Sequence, residues 1–102
     1  GFDCVYIGSY ATAASRHGLP DTGLLKLEDL VEQARTIAHA VSVPVIADAE
    51  GGFHDAGEIH RTVQAFEQAG VAAIHIEDHS GVGKHTDLPQ TLRPMEEMAA
   101  RI

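Results

Sequence analysis

The chain reads as an α/β fold assembled from parallel βαβ units, and three observations predict it. Short runs rich in β-branched residues recur three times. Each is followed by a polar loop and then by apolar residues at helical spacing. The middle run is apolar almost throughout, as a strand covered on both faces must be. Strands alternating with helices imply parallel pairing through right-handed crossovers.

The first run covers residues 4–7. The long loop after it contains Gly18-Leu19-Pro20-Asp21-Thr22-Gly23, rich in turn formers. Leu27, Leu30, Val31, Ala34, Ile37, Ala38 and Val41 then repeat at i, i+3, i+4, i+7, one helical stripe with Glu28, Glu32 and Arg35 outside it. The second run is residues 43–47. Its Pro44 has no N–H to donate and belongs at the strand's first residue or two. Asp55 is the expected N-cap of the next helix, with Glu58 three residues on as in a capping box. Ile59, Val63, Phe66 and Ala69 supply its apolar side, and Gly70 a left-handed end. The third run is residues 71–77. After a loop over 78–93, Pro94 suits the first position of a helix whose apolar side is Met95, Met98, Ala99 and Ile102.

Composition narrows the function. Seven basic and fifteen acidic residues give a net charge of −8 with histidines neutral. That balance argues against nucleic acid or an anionic membrane surface as the partner. No apolar run approaches the ~18 residues of a membrane span. The lone Cys4 excludes an internal disulfide and fits a reducing, cytoplasmic setting.

In folds of this kind chemistry gathers beyond the carboxyl ends of the strands. Acids stand there: Asp48 and Glu50 after the second run, Glu77 and Asp78 after the third. Side chains alternate along a strand, so Ile46, Asp48 and Glu50 share one parity if the extended geometry continues, and His75, Glu77 and His79 likewise share theirs. If the polar parity faces inward, Asp48, Glu50 and Glu77 converge. Three adjacent carboxylates repel one another unless a cation lies between them. Their hard oxygens suit Mg²⁺, with Mn²⁺ as the alternative, better than Zn²⁺. The seven histidines do not offer a zinc pattern, because His75, His79 and His85 match no helical ligand spacing and no cysteine is near. His75 is expected inside the sheet with its ring hydrogen-bonded. Gly51-Gly52 either admits a ligand close to the backbone or makes a tight turn. Ser9 and Tyr10 offer hydroxyls to an anionic substrate. Asp21 lies in a turn where Asp is common for local reasons.

Four segments together resemble the isocitrate lyase/phosphoenolpyruvate mutase superfamily: Val5-Tyr6-Ile7-Gly8-Ser9, Gly18-Leu19-Pro20-Asp21, Val45-Ile46-Ala47-Asp48-Ala49-Glu50-Gly51-Gly52-Phe53 and Ala72-Ala73-Ile74-His75-Ile76-Glu77-Asp78. The resemblance covers nearly the whole chain. It implies a (β/α)₈ TIM barrel, dependence on Mg²⁺, and making or breaking of C–C or P–C bonds in 2-oxo or 2-hydroxy acids through a metal-stabilised enolate. It implies a homo-oligomer, a tetramer in this family. By position, Asp48 is similar to the family's direct metal ligand, and Glu50 and Glu77 to acids that hold the metal through its waters. Tyr6, Gly8, Ser9, Tyr10 and Asp48 fall in the stretches that receive the substrate, and Asp21 matches an aspartate near the reacting centre.

Departures direct the choice of reaction. Relatives acting on isocitrate or methylisocitrate carry Lys-Lys/Arg-Cys-Gly-His after the Glu-Asp strand end, where the cysteine supplies a proton. This chain reads Asp78-His79-Ser80-Gly81-Val82-Gly83-Lys84-His85-Thr86-Asp87 instead, without a cysteine. Glu50 stands where Asp is usual, and Tyr10 where many lyases have Gly. Lys84 and His85 are the candidates to steady a carboxylate or supply the proton. The expected activity is Mg²⁺-dependent C–C cleavage in a small 2-oxo or 2-hydroxy diacid, oxaloacetate decarboxylation foremost, with phosphoenolpyruvate/phosphonopyruvate mutase or hydrolase chemistry as the alternative. A phospho-receiver module is disfavoured, since Gly8-Ser9-Tyr10 stands where its acidic pair would be.

Barrels of this type need about 250 residues, and residues 1–102 supply about three βα units. The chain opens directly in a β-like run and closes within a helical pattern. The expectation is therefore a partial barrel from a second strand to the helix after the fourth, which alone folds poorly and shows no turnover.

Overall fold

The computed structural model describes residues 1–80 and 84–102. Three strands form one parallel sheet in chain order: β1 (Val5–Ile7), β2 (Val45–Asp48) and β3 (Ala73–His75). A short helix, α1 (Ser9–Thr12), opens the connection after β1. The crossovers are α2 (Leu27–Ala40) and α3 (His60–Ala69), and α4 (Met95–Ala99) follows β3.

The register aligns Tyr6 with Ile46 and Ile46 with Ala73, and sets Asp48 opposite His75. Partners in a parallel ladder share a face. Ile7, Val45 and Ala47 lie on one face and pack with Leu30 and Ala34 of α2 and Phe66 and Ala69 of α3 into a single core. Both crossover helices cover that side. Sequential strand order with helices on one face is the winding of a barrel wall, whereas a doubly wound sheet reverses its strand order. Tyr6, Ile46, Asp48, Ala73 and His75 belong to the opposite face.

Much of the local reading holds. Leu30 and Ala34 are buried, and Leu27, Val31, Ile37, Ala38 and Val41 pack around them. Pro44 sits just ahead of β2, where its carbonyl accepts the Val5 N–H at 2.9 Å. Gly70 ends α3 at φ 94°, in the left-handed region. No helix among the described residues is long and apolar enough to cross a membrane.

Several local expectations need correction. The connection after β1 is not all loop: α1 runs into a widened turn over Ala13–His17 before Gly18 turns left-handed at φ 63°. Arg16 secures that turn through Glu32 and Gln33 of α2, at 2.6 and 2.7 Å. Asp55 does not cap α3. The helix starts at His60, Glu58 pairs with Arg61 at 2.6 Å, and the Asp55 carbonyl closes a turn with the Glu58 N–H. The buried stripe of that helix is Ile59, Thr62, Phe66 and Ala69, while Val63 is 42% exposed. Thr62 tolerates burial because its hydroxyl donates to the Gly52 carbonyl at 2.6 Å. β3 proper spans three residues, although ladder bonds from the Ala72 and Glu77 N–H groups extend it at both ends. Pro94 caps α4 rather than opening it, and the intended apolar side is bare, with Met95 78% and Ile102 93% exposed.

Candidate active site

Asp48 ends β2 on the face turned away from the helices, and it organises what surrounds it. Its Oδ1 accepts the Glu50 N–H at 2.8 Å. Its Oδ2 accepts from the Ser9 hydroxyl at 3.0 Å and the Ser9 N–H at 3.4 Å. Ser9 is the first residue of α1, and Gly8 before it holds the extended conformation of an N-cap. The turn after Gly18 brings buried Asp21 within 3.2 Å of the same hydroxyl. One hydroxyl proton serves Asp48 or Asp21, not both.

Lys84 enters from the loop after β3 and places its ammonium among the acids. Nζ lies 2.7 Å from Glu50 Oε1, 3.4 Å from Glu77 Oε1, 3.6 Å from Asp21 Oδ2 and 3.8 Å from Asp48 Oδ2. It also donates to Ser9 Oγ at 2.8 Å. Burial is the largest influence on this ammonium and lowers its pKa. The Glu50 hydrogen bond and the charges of Glu50, Asp48 and Glu77 together outweigh burial and raise it above the usual lysine range. Four carboxylates against one ammonium leave three negative charges unbalanced.

The rim is basic and aromatic. His85 Nε2 stands 3.4 Å from Asp21 Oδ2, and His79 Nε2 stands 2.6 Å from Glu77 Oε2. Tyr6 packs its ring against His75, centroids 5.3 Å apart; that histidine is exposed rather than inside the sheet, and among the described residues its ring makes this contact in place of the expected hydrogen bond. Partial burial, followed by the Asp48 charge, pushes the Tyr6 hydroxyl up in pKa, with Lys84 opposing. A cleft of about 370 Å³ borders the acids and is lined in part by Glu50, His79, Lys84, Arg93 and Arg101.

The structure thus gathers Asp21, Asp48, Glu50, Glu77, Ser9 and Lys84, with His85 reaching them through Asp21. Gly8 and Tyr6 lie beside them; a Cβ on Gly8 would meet the Tyr6 ring at 3.5 Å. Tyr10 does not join: it is exposed on α1. Gly51-Gly52 is resolved in favour of the tight turn. Gly52 has φ 90°, and a Cβ there would strike Ile59 Cδ1 at 2.5 Å and Arg101 Nη2 at 2.9 Å. Gly81, Val82 and Gly83 of the expected loop lie outside the described residues. Sequence reasoning missed Arg101, whose guanidinium is buried against this turn and donates to the Gly51 carbonyl. It also missed Thr62, which the 59, 62, 66, 69 spacing does signal.

The donor set is hard oxygen, and the unbalanced charge invites a divalent cation, so the residues fit Mg²⁺. Among the described residues no three Asp, Glu, His or Cys side chains are arranged to ligate one ion directly.

The family model for phosphoenolpyruvate phosphomutase matches residues 1–102. The chain is 50% identical over 78 residues to the 2,3-dimethylmalate lyase of Eubacterium barkeri, covering 76% of this chain and 27% of that one. It is 37% identical to oxaloacetate decarboxylase 2 of Pseudomonas fluorescens over all of this chain and 35% of that one. Among solved structures, a 2,3-dimethylmalate lyase superposes with a TM-score of 0.86 at 36% identity, over 99% of this chain and 34% of the other. Phosphonopyruvate hydrolase with oxalate and Mg²⁺ gives 0.81 at 33% identity, again over 99% and 34%. The chain spans about a quarter to a third of the length of these relatives. With a family model matched end to end and a relative 37% identical over the whole chain, the chain belongs to the phosphoenolpyruvate phosphomutase family, within the isocitrate lyase/phosphoenolpyruvate mutase superfamily.

Proposed function

We propose that these residues form part of a closed (β/α)₈ barrel catalysing Mg²⁺-dependent C–C cleavage in a small 2-oxo or 2-hydroxy diacid, with oxaloacetate decarboxylation the leading reaction. The observation that carries the reading is the convergence of Asp21, Asp48, Glu50 and Glu77 around one point at the strand ends. The oxaloacetate decarboxylase relative aligned over the whole chain supports the choice of substrate. Assembly as a homo-oligomer in the cytoplasm belongs to the same proposal.

In this reading Asp48 would hold the ion directly, and Glu50 and Glu77 would hold it through its waters. When bound, the ion supplies a Lewis acid that polarises the 2-oxo group and offsets the substrate's charge. The chain's own groups do the rest. The Ser9 hydroxyl and the Gly8-Ser9 backbone cradle a substrate carboxylate. Lys84, held charged by the acids, binds a second carboxylate or returns a proton to the product carbon. Asp21 orients His85 through its Nε2, which makes that histidine the other proton donor. Tyr6, whose hydroxyl is pushed up in pKa chiefly by partial burial, offers a hydroxyl hydrogen bond to the substrate. In a chain with a net charge of −8, three of the seven Lys and Arg residues line the adjoining cleft, which suits an anionic substrate.

The test is pyruvate release from oxaloacetate by the complete protein with Mg²⁺ or Mn²⁺, against metal alone. No excess over the metal-only rate overturns the decarboxylase assignment. A 2,3-dimethylmalate-type 2-hydroxy diacid is the second substrate to try, given the 50% identical relative. The likeness to phosphonopyruvate hydrolase favours one other reading, P–C bond chemistry, which phosphorus NMR of phosphonopyruvate incubations distinguishes.

A further inference from the structure

We infer that Arg101 is a positioning residue: its buried guanidinium clamps the turn after β2 and thereby fixes Glu50 in the acid cluster. The inference rests on the proposed role of Glu50 toward the metal, but its structural part stands on the turn itself.

The turn is strained. Glu50 and Phe53 hold φ values of 52° and 62°, left-handed for non-glycine residues, on either side of Gly52 at 90°. Such conformations persist only where the surroundings over-determine them. Here every carbonyl from residue 49 to 52 has a donor. Ala49 O accepts the Gly52 N–H at 2.9 Å, and Glu50 O accepts the Glu77 N–H at 2.8 Å. Gly52 O accepts the Thr62 hydroxyl at 2.6 Å and the His54 N–H at 2.7 Å. Gly51 O is left to Arg101, fifty residues away in sequence.

Arg101 is well placed for the task. It is only 4% exposed, follows α4, and its own N–H is tied to the Met98 carbonyl at 3.0 Å. Its Nη2 would stand 2.9 Å from a Cβ on Gly52, so side chain and turn are in close contact. Burying a guanidinium for one backbone carbonyl is expensive as a stability device. Among the described residues its Nε has no hydrogen-bond partner. The placement is explained if the gain lies in Glu50, whose carboxylate meets Lys84 at 2.7 Å and whose N–H meets Asp48. Partners of this outer kind typically change metal affinity by about 10–100-fold when removed.

The experiment uses the complete protein, wild type and Arg101→Met, Arg101→Lys and Glu50→Gln. It reads Mg²⁺ affinity by calorimetry and amide hydrogen exchange across residues 49–55. Arg101→Met is expected to weaken Mg²⁺ binding about tenfold and to speed exchange of the Gly52 and His54 amides, leaving α2 and α3 core amides unchanged. Arg101→Lys, which keeps a charged donor, recovers most of both. Combining Arg101→Met with Glu50→Gln adds little beyond Glu50→Gln alone. Wild-type exchange in the turn, or faster exchange spread evenly over the core, overturns the inference. If Arg101→Met does not fold, Arg101→Gln is compared with Arg101→Lys, and equal turn exchange in the two overturns it as well. If Glu50→Gln leaves Mg²⁺ affinity untouched while Arg101→Met loosens the turn, the metal reading of Glu50 fails and the clamp stands.

Discussion

The two faces of the sheet use the same strands for opposite purposes. On the helix side Ile7, Val45 and Ala47 disappear into a core with Phe66 and Leu30. One residue along, Asp48 turns the other way and meets Ser9, Glu50 and Lys84. Ala47 and Asp48 are neighbours in sequence, yet the side chain of one packs in the core and that of the other takes hydrogen bonds at the site. Because the period is two, a slip of one residue would bury the acid among the helices and expose the core to the site. Register is therefore enforced from both sides, by apolar packing and by charge, and stability and chemistry are separable although they share a backbone.

The separation is open to attack from either face. The largest effect is expected on the apolar side. Phe66 is fully buried, and Phe66→Ala should cost about 3–5 kcal/mol in denaturant unfolding. The folded fraction should keep wild-type turnover. On the polar side, Asp48→Asn should lower Mg²⁺-dependent turnover by about 10²–10³-fold, the range seen when one preorganised electrostatic group is lost. Unfolding stability should fall by no more than about 1–3 kcal/mol, since the amide keeps an oxygen for the Glu50 N–H but turns its NH2 toward the Ser9 N–H. If Phe66→Ala depressed turnover per folded molecule as much as Asp48→Asn does, the two faces would be coupled and the comparison would fail.

How far the sequence exposes this division follows from range. Apolar periodicity is local, so the Leu27 to Val41 stripe, the β2 run and Gly70 could be read directly. Asp48 could be read because strand parity and strand ends are local too, but Glu50 meets Asp48 and Glu77 through a left-handed turn at φ 52° rather than by continued strand parity. What escaped depends on contacts distant in sequence. Asp55 carries a capping signature, but the chain is still leaving the strained 50–53 turn there, so α3 starts later. Thr62 reads as polar and outward until the Gly52 carbonyl, ten residues back, is seen to accept its hydroxyl. Arg101 looks like any basic residue near a helix end until the Gly51 carbonyl meets it. Met95 and Ile102 form a helical apolar side with nothing in the described residues to cover it.

The smallest effect sharpens the polar face alone and is confined to alkaline pH. In metal-free protein both Tyr6 and Lys84 have pKa values raised by folding. For Tyr6 partial burial is the main cause; for Lys84 the carboxylates prevail over burial. A raised folded value means that the folded state holds its proton more tightly than the unfolded chain does. The contribution is thus fully present at neutral pH, begins to fade above about pH 10, where the unfolded groups titrate, and is lost as pH rises through the folded values. Unfolding in chelator should show stability falling along this alkaline limb, and Lys84→Met should flatten it. The chain's other lysine, Lys26, is exposed before α2, and Lys26→Met should leave the limb unchanged. Equal flattening by both variants would mean that the limb reports net charge rather than the ammonium enclosed by Asp21, Asp48, Glu50 and Glu77. The polar face would then hold Lys84 by proximity without drawing stability from it.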